Sequence, residues 1–204
     1  MGEIYIIKHG SSSGFKKVAL ALGVSYINPP IKPPLIIYWS RPPENFICLN
    51  TDGASLDNEA AGGGLIRDVH GRHLYNFFSY YGEGSNNLAE TRAFLEGLQA
   101  CKSKGFLQVQ IQSDSMLAVN WFHNTASIPW FLQKWWRQIH KLKEYLYIQC
   151  IHIYREGNYP ADYLSKKGMI IKSNGAVHKE NDKAFKQLLH ADRENIPYVR
   201  HAKQ

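Results

Sequence analysis

The chain is poor in cysteine and has no long apolar run, and each shortage excludes something. Its three cysteines, Cys48, Cys101 and Cys150, are scattered without close pairs. That speaks against a disulfide framework and suits buried free thiols in a reducing compartment; a nuclear or cytoplasmic location is compatible with them, but no clear address is written in the sequence. No stretch of 18 apolar residues exists, so nothing reads as a membrane span. The first residues, MGEIYIIKHGSSSG, lack a basic region followed by a long apolar stretch, so no secretory signal is read there. Internal repeats and low-complexity tracts are also missing. What is present is ample core material: 44% apolar residues, with five Trp and twelve Tyr, in 204 residues. That suits one ordinary domain with flanking segments, or at most two small domains.

The net charge of +7 is unevenly spread. Residues 1–44 carry 5 basic and 2 acidic side chains, residues 45–168 carry 12 and 11, and residues 169–204 carry 7 and 4. The middle is nearly neutral and the excess sits on the flanks. A basic chain suggests polyanionic partners, or only better solubility, and charge alone does not choose.

Six of the nine prolines fall in residues 28–43, which reads as an extended linker. The expected organisation is an N-terminal extension and linker over 1–43, a compact domain over 44–168 and a mobile basic tail over 169–204. A short helix over Gly14–Leu22 fits the extension, and a weak amphipathic stretch, Lys183–His190, lies in the tail. Within the domain, Phe46–Asp52 reads as a strand ending at Gly53. Gly62–Asp68 and His73–Tyr81 read as strands joined by a turn at Asp68-Val69-His70-Gly71. Helix-forming composition covers Leu88–Lys102, then a strand Phe106–Gln112 and a helix Ser115–Phe122. Pro129 opens a longer helix with Leu132, Trp135, Trp136, Ile139, Leu142 and Leu146 at three- and four-residue steps. Tyr147–Tyr154 is the fifth strand, and Pro160–Lys167 a final helix closed by Gly168. The order β-β-β-α-β-α-α-β-α implies an α/β fold. Its mixed sheet has five strands, an antiparallel three-strand meander followed by parallel strands, with helices on both faces.

Four carboxylates, Asp52, Glu90, Asp114 and Asp162, lie at the ends of these elements. Each has an ordinary explanation. Asp52 starts a turn with Gly53, Glu90 resembles a capping box with Asn87, Asp114 caps the next helix, and Asp162 suits a helix dipole. Together they read differently. If the first and fourth strands are neighbours and the helix bearing Glu90 crosses above, the four form an acidic cluster with no cationic partner of its own. Such a cluster suits hard divalent cations. Crowded carboxylates raise one another's pKa, and a bound cation reverses this, so the metal-free site is expected to be partly protonated.

The blocks Asn50-Thr51-Asp52-Gly53-Ala54-Ser55, Asn86-Asn87-Leu88-Ala89-Glu90, Gln112-Ser113-Asp114-Ser115 and Arg155-Glu156-Gly157-Asn158-Tyr159-Pro160-Ala161-Asp162 resemble the four signature blocks of type 1 ribonuclease H. Trp39-Ser40-Arg41-Pro42-Pro43 adds a likeness to the ribonuclease H-like domains of plant retroelement-derived proteins. The resemblance spans about residues 39–168 and implies a ribonuclease H-like fold. It further implies a two-metal-ion endonuclease, using Mg²⁺ or Mn²⁺, that cuts the RNA strand of RNA·DNA hybrids. Asp52 would bridge both ions, Glu90 and Asp114 would hold the leaving-group ion, and Asp162 the ion that activates water. Gly53, Ala54, Asn86 and Asn87 would contact substrate, and Asn158 would assist near Asp162. The protein is expected to act as a monomer.

Two features depart from the family. The loop before Asp162 is too short for the His that many relatives carry, and His152 falls inside the fifth strand. No basic insert separates the helices at His123–Ile128, and Lys134, Arg137, Lys141 and Lys143 read as a solvated helix face. Hybrid affinity should then be weak and salt-sensitive. Trp121, Trp130, Trp135 and Trp136 read as packing residues. The alternative reading is a catalytically weak or inactive nucleic-acid-binding or interaction module derived from a retroelement. A transposase or integrase fits less well, because neither a late Glu nor a His/Cys zinc module is present.

Overall fold

The protein is described by a computed structural model covering residues 13–24 and 33–200. Residues 28–32 of the proline-rich stretch lie outside the described residues. Contacts divide the chain into a unit of residues 1–36 and 199–204 and a larger unit, Ile37–Tyr198. The smaller contains α1 (Ser13–Ala21), close to the expected helix. Strands β1 (Leu35–Ile37) and β7 (Tyr198–Arg200) pair as a two-stranded sheet.

The larger unit is built on a five-stranded sheet of order β4-β3-β2-β5-β6. Its strands are β2 (Ile47–Leu56), β3 (Glu59–Arg67), β4 (His73–Glu83), β5 (Gln108–Ser113) and β6 (Tyr147–His152). β2, β3 and β4 form an antiparallel meander, and β5 and β6 add in parallel. β2 does not stop at Gly53 but runs on to Leu56. The chain reverses at Asp57 and Asn58, both at positive φ (51° and 62°), the pairing of a two-residue hairpin turn. The next hairpin turns where expected: Asp68 Oδ1 accepts from the His70 and Arg72 amides, each at 2.9 Å, and Gly71 takes φ 75°.

Successive residues of β3 face opposite layers. Ile66 packs with Leu49, Phe94, Leu98, Ile111 and Trp136, below α2 (Asn86–Ser103), α3 (Met116–Phe122) and α4 (Gln133–Leu142). Leu65 faces the other way, joining Phe78, Ala161, Leu164, Val177, Phe185 and Leu189 beneath α5 (Tyr159–Ile171) and α6 (Lys183–Arg193).

Several local expectations need correction. α2 is capped by Ser85, whose hydroxyl accepts from the Leu88 amide, and not by an Asn87–Glu90 box. Ser115, not Asp114, caps α3. Pro129 starts a short 3-10 turn, Trp130–Leu132, and the helix proper ends at Leu142. Trp121 and Trp136 are buried, but Trp130 is 83% exposed and is no packing residue. Gly168 lies inside α5, which ends at Lys172 with φ 51°. A Cβ at Gly168 would meet the Ser79 carbonyl oxygen at 3.0 Å, so the glycine lets α5 approach β4 closely.

The segment read as a mobile tail also differs. Lys183–Arg193 is a helix capped by Asp182, with Phe185 fully buried. A lone amphipathic stretch gains its stability from the surface it covers, and that surface is not visible along the chain. Likewise Trp39, at the end of the proline-rich stretch, is buried on Arg67.

Candidate metal centre

Asp52 lies within β2, opposite Gly63 on β3. The β2–β5 register ends at Thr51 beside Ser113, so Asp114 follows at the neighbouring strand end. Glu90 comes from the second turn of α2. Gly53 sets the height of that helix: a Cβ there would lie 2.2 Å from the Glu90 amide nitrogen. Only a glycine lets the α2 backbone rest on the strand, which brings Glu90 over Asp52.

Asp52, Glu90 and Asp114 each offer a carboxylate oxygen, and these three atoms lie within 4.8 Å of one another. Burial, and then the charge of Asp114, pushes the Asp52 pKa up to about 7. Glu90 is raised well above the ordinary range by burial and by Asp52, against a backbone hydrogen bond from Gly53. Asp114 is raised by burial, opposed by its hydrogen bond from Asn158. Like charges in a dry site disfavour ionisation, so this crowding holds protons. Glu90 Oε2 is buried with no hydrogen-bond partner. A buried carboxyl oxygen left without a partner, in a residue that converges with two further carboxylates, fits a hard cation, and the all-oxygen donor set suits the Mg²⁺ class. The triad therefore has the composition and convergence to hold a divalent metal ion.

Asp162 does not join that triad. It sits in the first turn of α5, and its two oxygens take Arg155 Nη2 and Lys166 Nζ, each at 2.6 Å. The expectation of a cluster without cationic partners is thereby corrected. Both partner side chains are more than half exposed, so these pairs are weak and exchangeable. Asp162 still neighbours the triad, since its charge and that of Arg155 act on both Asp52 and Asp114. Ser165, one turn further along α5, was not anticipated. Its hydroxyl is in hydrogen-bond contact with Asp52 Oδ2 and, at 2.9 Å, with the Asp162 carbonyl oxygen. The three-residue helical spacing from Asp162 is the signal that points to it.

Asn158 is fully buried beneath the acids. Its Nδ2 donates to the Thr51 carbonyl (2.9 Å) and to Asp114 Oδ1 (2.7 Å), so it supports Asp114 and not Asp162. Asn86 is exposed and Asn87 half-buried at the start of α2, Ala54 is half-buried and Gly53 buried. His152 ends β6 opposite Ser113, and the chain passes from there through Arg155–Asn158 directly into α5.

A family model described as reverse transcriptase-like matches residues 50–168. The chain belongs to this ribonuclease H family. An Arabidopsis thaliana protein named as a ribonuclease H protein is 31% identical over 134 residues, 64% of this chain and 22% of the relative. The ribonuclease H of Syntrophus aciditrophicus is 31% identical over 98 residues, 48% of this chain and 56% of the relative. The chain thus spans from about a fifth to just over half of these relatives' lengths. Among solved structures, LC11-RNase H1 in complex with RNA/DNA hybrid aligns with TM-score 0.56 and 28% identity, over 59% of this chain and 94% of that one. The RNase H1 of Halobacterium salinarum aligns with TM-score 0.58 at 23% identity, over 61% and 97%, a likeness of fold. The ribonuclease H-like architecture expected from the four blocks is the one observed.

Proposed function

We propose that the protein is a metal-dependent endonuclease that hydrolyses the RNA strand of RNA·DNA hybrids. The observation that carries this reading is the convergence of Asp52, Glu90 and Asp114, with one buried Glu90 oxygen left without a partner. Asp52, Glu90 and Asp114 would hold a divalent cation, Mg²⁺ or Mn²⁺. Asp162, with Asp52, would hold a second once Arg155 and Lys166 release it. Bound there, the metal supplies Lewis-acid stabilisation of the attacking and departing oxygens. The chain's own residues do the positioning. Asn158 orients Asp114, Ser165 orients Asp52, and the α2 N-terminus presents Asn86 and Asn87 where a duplex groove would run. Gly53 and Ala54 place strand backbone beside the acids, a location from which a 2′-hydroxyl can be read. The hybrid held by LC11-RNase H1 and the names of the two curated relatives support this substrate class. The Trp39–Pro43 segment and the Arabidopsis relative support a plant, retroelement-derived origin.

One observation favours a second reading, an inactive nucleic-acid-binding module: Asp162 is already paired with two cations, and no loop His stands beside it. Incubating the protein with a labelled hybrid and Mg²⁺ or Mn²⁺, beside an Asp52→Asn variant, separates the two. Cleavage by the parent alone is expected. Binding of hybrid by both proteins with cleavage by neither would establish the module instead.

A further inference from the structure

A single hydrogen-bonded path runs from the far end of the sheet to the candidate metal ligand Asp114. It starts at Asp192 on α6, whose Oδ2 accepts from Arg67 Nη1 at 2.6 Å, with both side chains fully buried. Tyr198 donates to the other Asp192 oxygen at 2.7 Å. Arg67 Nη2 donates to Asn50 Oδ1 at 2.8 Å. Asn50 Nδ2 donates to Asn158 Oδ1 at 3.1 Å, and Asn158 Nδ2 donates to Asp114 Oδ1 at 2.7 Å. The Arg67 guanidinium carbon lies over the Trp39 ring, 3.7 Å from its centroid. Trp39 Nε1 in turn donates to Gln112 Oε1 at 2.9 Å, an atom Asn50 Nδ2 also approaches at 3.3 Å.

The direction of this path is fixed by chemistry. A guanidinium has donors only, so the Asn50 amide must turn its oxygen toward Arg67. Its NH₂ then faces Asn158, whose oxygen must turn inward, leaving the Asn158 NH₂ for Asp114. Flipping Asn50 would set donor against donor at Arg67, and flipping Asn158 would do so at Asn50 and turn an oxygen toward Asp114, which would then lose its buried partner. Asp192, which holds Arg67, Tyr198, which donates to Asp192, and Trp39, whose ring Arg67 covers, all stand outside the family-matched span 50–168.

We infer that Arg67, held by Asp192 and Trp39, is a positioning residue that sets the orientation of Asp114 through the Asn50–Asn158 amides, so that α6 is part of the metal centre's support. This deepens the proposed function and rests on Asp114 being a metal ligand. A partner in direct contact with a ligand typically affects metal affinity about 10–100-fold, and a more distant one should affect it less.

The test is Mn²⁺ binding by calorimetry on the full chain, well below each variant's melting temperature. Asp192→Ala should weaken Mn²⁺ binding by about 3- to 10-fold. Asp192→Asn keeps an oxygen facing Nη1 and should restore most of that loss. Leu189→Ala, which loosens α6 without touching the path, should lower the melting temperature yet leave Mn²⁺ affinity within about twofold. Equal affinity in Asp192→Ala and the parent overturns the inference, as does an equal loss in Leu189→Ala. A parent that binds no Mn²⁺ overturns the metal reading itself and this inference with it.

Discussion

At the scale of single residues, Asp52 contributes to how the metal-free protein responds to pH, alongside Glu90 and Asp114, whose pKa values burial raises in the same direction. The Asp52 pKa is pushed up to about 7 by burial and by Asp114, against an ordinary value of 3.8. The folded state therefore binds this proton more tightly than the unfolded chain. The Asp52 contribution to stability is complete below about pH 4 and declines as pH rises toward 7, by at most about 1.4 kcal/mol per unit. His73 works in the opposite sense. Burial lowers it to about 4, so its contribution grows as pH rises from 4 toward 6.5 and partly masks Asp52. Asp52→Asn should flatten the acid-to-neutral decline and melt above the parent at pH 7 in chelator. Mn²⁺ should raise the parent and reverse that ranking. Thermal scans at several pH values check this, and a metal-free parent as stable as the variant at pH 7 would refute it. The acids themselves could be picked out along the chain because four rare blocks occur in order. Of the cations on Asp162, Lys166 stands one helical turn away at i+4 and is legible in the sequence, whereas Arg155 lies before α5 and reaches Asp162 only once the chain turns into that helix.

At the scale of elements, α6 is the piece that the chain conceals. Its apolar stripe is short, and nothing nearby in sequence covers it. In the structure Phe185 is fully buried, edge-on to His73 with centroids 5.6 Å apart and stacked on Tyr163 at 6.1 Å. Phe185→Ala should cost about 3–5 kcal/mol, as core phenylalanine truncations do. Urea denaturation measures it, and a loss under about 1 kcal/mol would return this segment to the status of a tail. Helix ends were harder to read than helices. Gly168 looks like a stop signal, but its missing side chain serves the close approach to Ser79. Whether a glycine ends a helix or packs within one depends on what lies across from it, and periodicity does not record that.

At the scale of the molecule, the unit Ile37–Tyr198 encloses the 44–168 span with structure from both sides. Truncating the chain after Ile171 would uncover Leu65, Phe78 and Leu164 and strand the Arg67 charge in a buried site. A buried charge that loses its partner typically costs about 3–5 kcal/mol before any apolar loss is added. The truncated protein should unfold at a much lower urea midpoint, and an unchanged midpoint would show that α6 contributes nothing. Within residues 46–168 the order of strands and helices, the identity of the carboxylates and the family were legible along the chain, because these rest on local periodicity and on short runs of adjacent residues. Tertiary structure alone decided that three of the acids meet while Asp162 takes cationic partners, and that Trp39 and Asp192 reach the centre through Arg67. The Arg67 contacts join side chains 17 and 125 positions apart in the chain, and only the closed sheet brings them within hydrogen-bond range.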